Sequence, residues 1–187
     1  MFRLLLIILI FQVSIASAST DFNMKLLSPF HTVKDLHSYK ELSKRFQDGF
    51  GAFRNRGHLH SALDIKGDYS EPVYPVKDGL VVAVWGEFPY TTVAILHKDD
   101  NGKIFFTSSV HMGEVYVKPG DYVYTDTKIA RLLNKEEQKR AYYSKVHMHL
   151  EFRKSLENFK ASGGCYTMEQ LREHFYDPKP ILKKHMN

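Results

Sequence analysis

One cysteine, Cys165, and one tryptophan, Trp85, are all that this chain has of either residue. A lone thiol forms no intrachain disulfide, so the fold must be held by its core. The turn-like Ser162-Gly163-Gly164-Cys165-Tyr166 setting also offers none of the electropositive surroundings that a reactive thiolate needs. Internal repeats and low-complexity linkers are absent, which excludes solenoids and tethered modules. Basic residues are scattered rather than interleaved with aromatics, so no nucleic-acid partner is indicated. No apolar run is long enough to span a bilayer. The longest, Leu4 to Ile15, is broken by Gln12 and Ser14, follows Arg3 and ends at Ala16-Ser17-Ala18. That is the pattern of a secretory signal. It predicts a signal peptide over residues 1–18 of a bacterial protein that is periplasmic or secreted, with no stable membrane anchor after cleavage. No cysteine follows the apolar stretch, which argues against a lipoprotein.

Removing 18 residues from 187 leaves 169, which suits one domain with a sizeable core. The expected organisation is an N-terminal segment, 19–45, packing on a domain that runs over 46–187, and a monomer. Loss of Arg3 takes the 26 basic residues to 25 against 21 acidic ones, a net charge of +4 that suits an anionic polymer without demanding one. A modest helical stretch is predicted over 33–47. Val73–Val76 and Leu80–Trp85 flank Lys77-Asp78-Gly79 and predict a hairpin; Thr91–His97 and Ile104–Val110 flank Asp99-Asp100-Asn101-Gly102 and predict another. Short strands at Val115–Val117, Tyr122–Tyr124 and Ile129–Leu133 follow. The fold class is therefore mainly β, an antiparallel sandwich or barrel-like domain with short peripheral helices. Thr167-Met168-Glu169-Gln170 has the spacing of a capping box and predicts a helix to about Phe175.

Four histidines and one aspartate fall in three clusters, His60 with Asp64, His111 alone, and His147 with His149. These are the residue types of a catalytic zinc site, which keeps three protein ligands from His, Asp or Glu and leaves a fourth position open. Two histidines then remain for proton transfer. The four-residue spacing of His60 and Asp64 puts both on one face of a strand or helix, and the following Ile65-Lys66-Gly67 favours a strand. His147, His149 and Glu151 share one strand face while Met148 points away, so Glu151 can accept the second ring N–H of a histidine. With ten histidines in the chain, an isolated pair such as His58 and His60 means little; nothing marks His58 as a ligand.

The surrounding residues add specificity. HSALD at 60–64, HMGEVYVKPGDYV at 111–123 and HMHLEF at 147–152 resemble the three motifs of the lysostaphin-type, or LytM-type, zinc metallopeptidases. The segment PVYPVKDGLVVAVWG at 72–86, the lead-in Phe50-Gly51-Ala52-Phe53-Arg54 and the run Asp177-Pro178-Lys179-Pro180 resemble further family segments in the same order. The resemblance covers about residues 46 to 183. It implies one Zn²⁺ per chain held by His60, Asp64 and His149, with His111 and His147 as catalytic residues beside the metal-activated water. It further implies a peptidoglycan stem-peptide substrate. Three departures stand out: Ala62 replaces a glycine, Ser109 stands where a tyrosine is common, and 135–145 replaces a glycine-rich stretch with residues that predict a short helix or charged loop.

Two other classes compete. A non-catalytic relative that binds cell wall and activates a separate amidase would lack metal ligands, whereas all five positions are filled. A carrier domain of the lipoyl or biotinyl type is suggested by VKPGDYVYTDTKIARL at 117–132, yet no Met-Lys hairpin tip is present. The expected substrate is the D-Ala to meso-diaminopimelate cross-link, because Lys135, Lys139, Arg140 and Lys145 precede His147 and can meet stem-peptide carboxylates. The exported chain also has no room for the separate wall-binding domain usual in enzymes that cut glycine bridges.

Overall fold

Alternation of apolar and polar residues, punctuated by glycine and proline, produces ten strands and four short helices in the computed structural model, which describes residues 21–32, 36–55, 57–156 and 165–186. They are α1 (Tyr39–Ser43), β1 (Leu63–Lys66), β2 (Pro72–Val73), β3 (Gly79–Trp85), β4 (Thr92–Lys98), β5 (Ile104–Val110), β6 (Met112–Val115), β7 (Tyr122–Val123), β8 (Ala130–Leu132), α2 (Lys135–Ala141), β9 (His147–Arg153), α3 (Met168–His174), β10 (Phe175–Tyr176) and α4 (Pro178–His185). The signal-peptide expectation for 1–18 and the first residues of the 33–47 helix lie outside the described residues. No described helix is long and apolar enough to cross a membrane.

The larger sheet runs β1-β9-β5-β4-β3-β7 with β10 also on β9, and the smaller runs β2-β8-β6. Every pairing is antiparallel. Leu63, Ile65, Ile95, Phe105, Met148 and Phe152 from the larger sheet meet Val73, Met112 and Leu132 from the smaller in one core. Each such fully buried side chain contributes roughly 1.5–3 kcal/mol. Phe22, Met24, Leu26, Phe30 and Leu42 from the N-terminal segment join the same core.

Local chemistry explains the boundaries. The β4–β5 hairpin closes where Asp99 accepts from the amides of Asn101 and Lys103 at 3.0 and 2.8 Å and Gly102 takes φ of 83°. α2 and α3 both start with reciprocal capping boxes, Asn134 with Glu137 and Thr167 with Gln170. The 135–145 segment is thus a helix followed by a short loop. Asp177 caps α4 through the amide of Lys179 at 3.0 Å, with Pro178 at its first position.

The hairpin expected between Val73–Val76 and Leu80–Trp85 does not form. β2 pairs with β8 in the smaller sheet, and β3 pairs with β4 and β7. Pro75 has no N–H to donate, so the ladder cannot extend through it. Gly79 instead lets β3 approach β4 closely, since a Cβ there would lie 2.4 Å from the Leu96 carbonyl oxygen.

Candidate metal centre

Strands β1 and β9 are neighbours in a register that sets Asp64 directly opposite His149, while their alternate residues, Ile65 and Met148, face each other in the core. His60 stands just before β1. Its Nε2 lies 3.1 Å from Asp64 Oδ1 and 2.9 Å from His149 Nδ1, and His149 Nδ1 lies 3.1 Å from Asp64 Oδ1. Three candidate ligand atoms therefore form a nearly equilateral triangle. Neighbouring ligands around a tetrahedral zinc, at bond lengths of ~2.0–2.1 Å, sit about 3.3 Å apart. The donor set and its spacing fit that ion.

The outward side of each of these three side chains is held. His60 Nδ1–H donates to the Gly49 carbonyl at 2.9 Å, and His149 Nε2–H is 3.3 Å from Glu151 Oε1, which also accepts from Ser61 Oγ at 2.7 Å. Glu151 Oε2 lies 3.3 Å from Nε of the buried Arg153. Asp64 Oδ2 accepts from Arg54 Nη2 at 2.7 Å, and Arg54 is fixed in turn by Asp48 at 2.6 Å. Such outer partners fix tautomer and carboxylate orientation.

The electrostatics suit a cation. Burial works against the Asp64 and Glu151 carboxylates, but hydrogen bonds from the surrounding histidines hold both well below the usual range. Burial depresses His60. It also pulls on His149, where the bonds to Asp64 and Glu151 win and raise the imidazole to about 9. Positive charge is thus stabilised at the centre of the triangle.

His111 and His147 flank this trio. The ring of His111 lies 4.9 Å from that of His147 and 5.9 Å from that of His149. His111 occupies the junction of β5 and β6 with φ of 71°, a left-handed conformation unusual for a residue with a Cβ. Positive φ among described non-glycine residues otherwise occurs only at Ser70 and Tyr142, so Ala62 takes the place of a glycine without strain. His111 Nδ1–H donates to the Pro89 carbonyl at 2.9 Å, and His147 Nδ1–H to the Lys145 carbonyl at 3.0 Å. Both rings therefore keep Nε2 as the free acceptor. Burial, reinforced by the charges of His149 and His147, pushes His111 down to about 3, so it is a neutral base over the whole physiological range.

A cleft of about 600 Å³ joins all five residues. His58 lines it but stays outside the ligand triangle. Of the basic segment, Lys145 reaches the cleft, whereas Lys139 pairs with Glu136 on the surface and Arg140 stacks on Phe88 at 4.8 Å. Sequence spacing does not reveal Tyr143 and Tyr90, which also line the cleft, or the contact between Arg54 and Asp64. All three depend on contacts between separate elements.

The sequence pattern of peptidase family M23 matches residues 58–161, a span that holds all five histidine and aspartate positions and more than half of the chain. The chain belongs to peptidase family M23. Its fold is shared with the catalytic domain of lysostaphin from Staphylococcus simulans, at a TM-score of 0.54 and 20% identity over 79% of this chain and 98% of that one. LytU gives 0.52 and 21% over 75% of this chain and 85% of that one. A solution structure of lysostaphin gives 0.53 and 19% over 75% of this chain. The M23 chain spans 50% of that lysostaphin. No curated protein matches it. The mainly β, antiparallel architecture read from the sequence is that of the M23 peptidases.

Proposed function

We propose that this M23 chain is an exported zinc metalloendopeptidase that hydrolyses peptide cross-links of bacterial peptidoglycan. The observation that carries the reading is the triangle of His60, Asp64 and His149, with two histidines beside it whose Nε2 atoms are both free acceptors. Zinc held by those three ligands supplies a Lewis acid and a water whose pKa falls from 15.7 to about 7. Of His111 and His147, one accepts the proton of the attacking water at its free Nε2, and the other, once protonated at Nε2, stabilises the oxyanion or protonates the leaving amine, each worth on the order of 10²–10⁴ in rate. Arg54 and Glu151 keep the ligands in orientation. A non-catalytic, amidase-activating role has no use for this complete set.

The preferred bond is D-Ala to meso-diaminopimelate. Lys145 supports this choice: it stands at the cleft beside His147 and presents an ammonium to the carboxylates of stem peptides. The test is digestion of cross-linked dimeric muropeptides by the zinc-loaded protein. Conversion to monomers is the expected outcome. Solubilisation of a glycine-bridged wall with intact dimers would overturn the substrate, and a zinc-holding protein that cuts neither would be a binding module.

A further inference from the structure

Strand pairing fixes which residues share a face of the larger sheet. His149 lies opposite Asp64 on one side and Val110 on the other, and Val110 lies opposite Thr92, so this row stands on the face turned away from the smaller sheet. Four residues further along the same strands, and therefore on the same face, a second row crosses the sheet: Phe106 opposite Leu96, Leu96 opposite Leu80, and Leu80 opposite Tyr122. Tyr124 and Ile104 extend it by one step.

An antiparallel sheet with one face in water places apolar residues inward and polar ones outward. The second row breaks that rule. Tyr122 is 59% exposed, Tyr124 58%, Ile104 47% and Leu80 36%, with Leu96 and Phe106 half-buried beside them, whereas the alternate residues Val81, Ile95 and Phe105 are buried as expected. The rings of Tyr122 and Tyr124 stand 5.3 Å apart, edge to face. Single exposed apolar side chains mean little, but a continuous stripe across four strands marks a binding surface.

Its distance from the metal centre points to the occupant. With strands ~4.8 Å apart and a rise of ~3.4 Å per residue, Phe106, one strand across and four residues along from His149, lies roughly 14 Å away. A stem peptide held at the metal is covalently tied to a glycan strand, and about four extended stem residues also span roughly 14 Å. The first sugar thus falls at the near end of the stripe. From Phe106 to Tyr122 the stripe continues for three strand spacings, about 14 Å, along which the glycan can run. Sugar rings present apolar C–H faces edged by hydroxyls, and tyrosine answers them with an apolar ring and a polar tip.

We propose that the stripe of Tyr122, Tyr124, Leu80, Leu96 and Phe106 binds the glycan backbone of peptidoglycan while an attached stem peptide lies at the metal centre. The proposal rests on the peptidase reading of the cleft. The direct probe is purified glycan strands stripped of stem peptides by an amidase. Added to the zinc-loaded protein, they should shift the amide NMR signals of Leu80, Leu96, Phe106 and Tyr122. The double variant Tyr122→Ser, Tyr124→Ser should lose this binding and cleave intact sacculi about tenfold more slowly, the worth of two aromatic contacts. Its zinc content and its rate on sugar-free cross-linked peptide dimers should hold.

A second variant guards against simple misfolding. Leu80→Lys is a single exposed change in the middle of the stripe, and if the double variant loses zinc the same expectations pass to it. Glycan strands that leave the wild-type signals unmoved would overturn the proposal, as would equal rates on sacculi for wild type and variants. A wild-type dimer that the variants abolish and glycan does not displace would assign the stripe to a second copy of the chain and overturn it equally. A wild type that binds glycan strands but cleaves neither sacculi nor peptide dimers would remove the peptidase reading and leave the glycan surface standing.

Discussion

His97 offers a prediction about stability that is independent of the metal. It is completely buried on β4, where its Nδ1–H donates to the Asp78 carbonyl at 3.0 Å and its Nε2 accepts from Thr107 Oγ1 at 2.8 Å. Its ring stacks 5.0 Å from that of Phe105. Burial outweighs the backbone bond and pushes its pKa from 6.5 down to about 4. The unfolded chain therefore takes up a proton near pH 6.5 that the folded chain refuses until about pH 4. Stability is full above pH 6.5, falls through that window and levels off below it. At 1.36 kcal/mol per pH unit the complete loss is about 3 kcal/mol, of which roughly 2 kcal/mol accrues between pH 7 and 5. Urea unfolding of the chelator-treated protein at those two pH values measures it, with His97→Gln as the reference that removes the titration but can still accept from Thr107. The wild type should lose about 2 kcal/mol more than the variant over that interval. Equal losses would show that His97 is not held neutral by the core.

Substituting His60, Asp64 or His149 by Ala should each reduce zinc content measured by elemental analysis, and full zinc in all three would refute the ligand set. Because those histidines must be deprotonated to bind, the wild type should release metal as pH falls through their protonation. His111→Ala and His147→Ala should keep most of the zinc yet lose roughly 10²–10⁴ in kcat on muropeptides; activity near wild type in either would remove its catalytic role. Lys145→Gln should raise KM for stem-peptide dimers with zinc unchanged, while Lys139→Gln should do little, since Lys139 pairs with Glu136 away from the cleft. An equal KM for both variants would dismiss the charge argument.

Much of the site can be read along the chain because its determinants are local. Alternation in HMHLEF puts His147, His149 and Glu151 on one face, and the structure carries that through to the bond between His149 and Glu151. The Asp99–Gly102 turn and the helix over 135–141 are similarly set by neighbouring residues. What is lost is what depends on distant partners. Val73–Val76 reads as half of a hairpin, yet Val73 pairs with Ala130, more than fifty residues away. Arg54 reads as part of a lead-in motif, and only folding sets its guanidinium on Asp64. Tyr143 sits in a charged stretch with no periodicity that marks it, and its contact with His111 spans 32 positions.

The opposition of Asp64 and His149 across β1 and β9 has a consequence for how the protein reaches its fold. Side chains alternate along a strand, so a slip of one residue would turn Asp64 and His149 to opposite faces and present Ile65 or Leu63 to water. The aligned pairing alone gathers the three ligand atoms. A metal ion that binds only this arrangement adds its binding free energy to one register and to no other. Zinc would then act during maturation as a proofreader of strand pairing, before it ever meets a substrate.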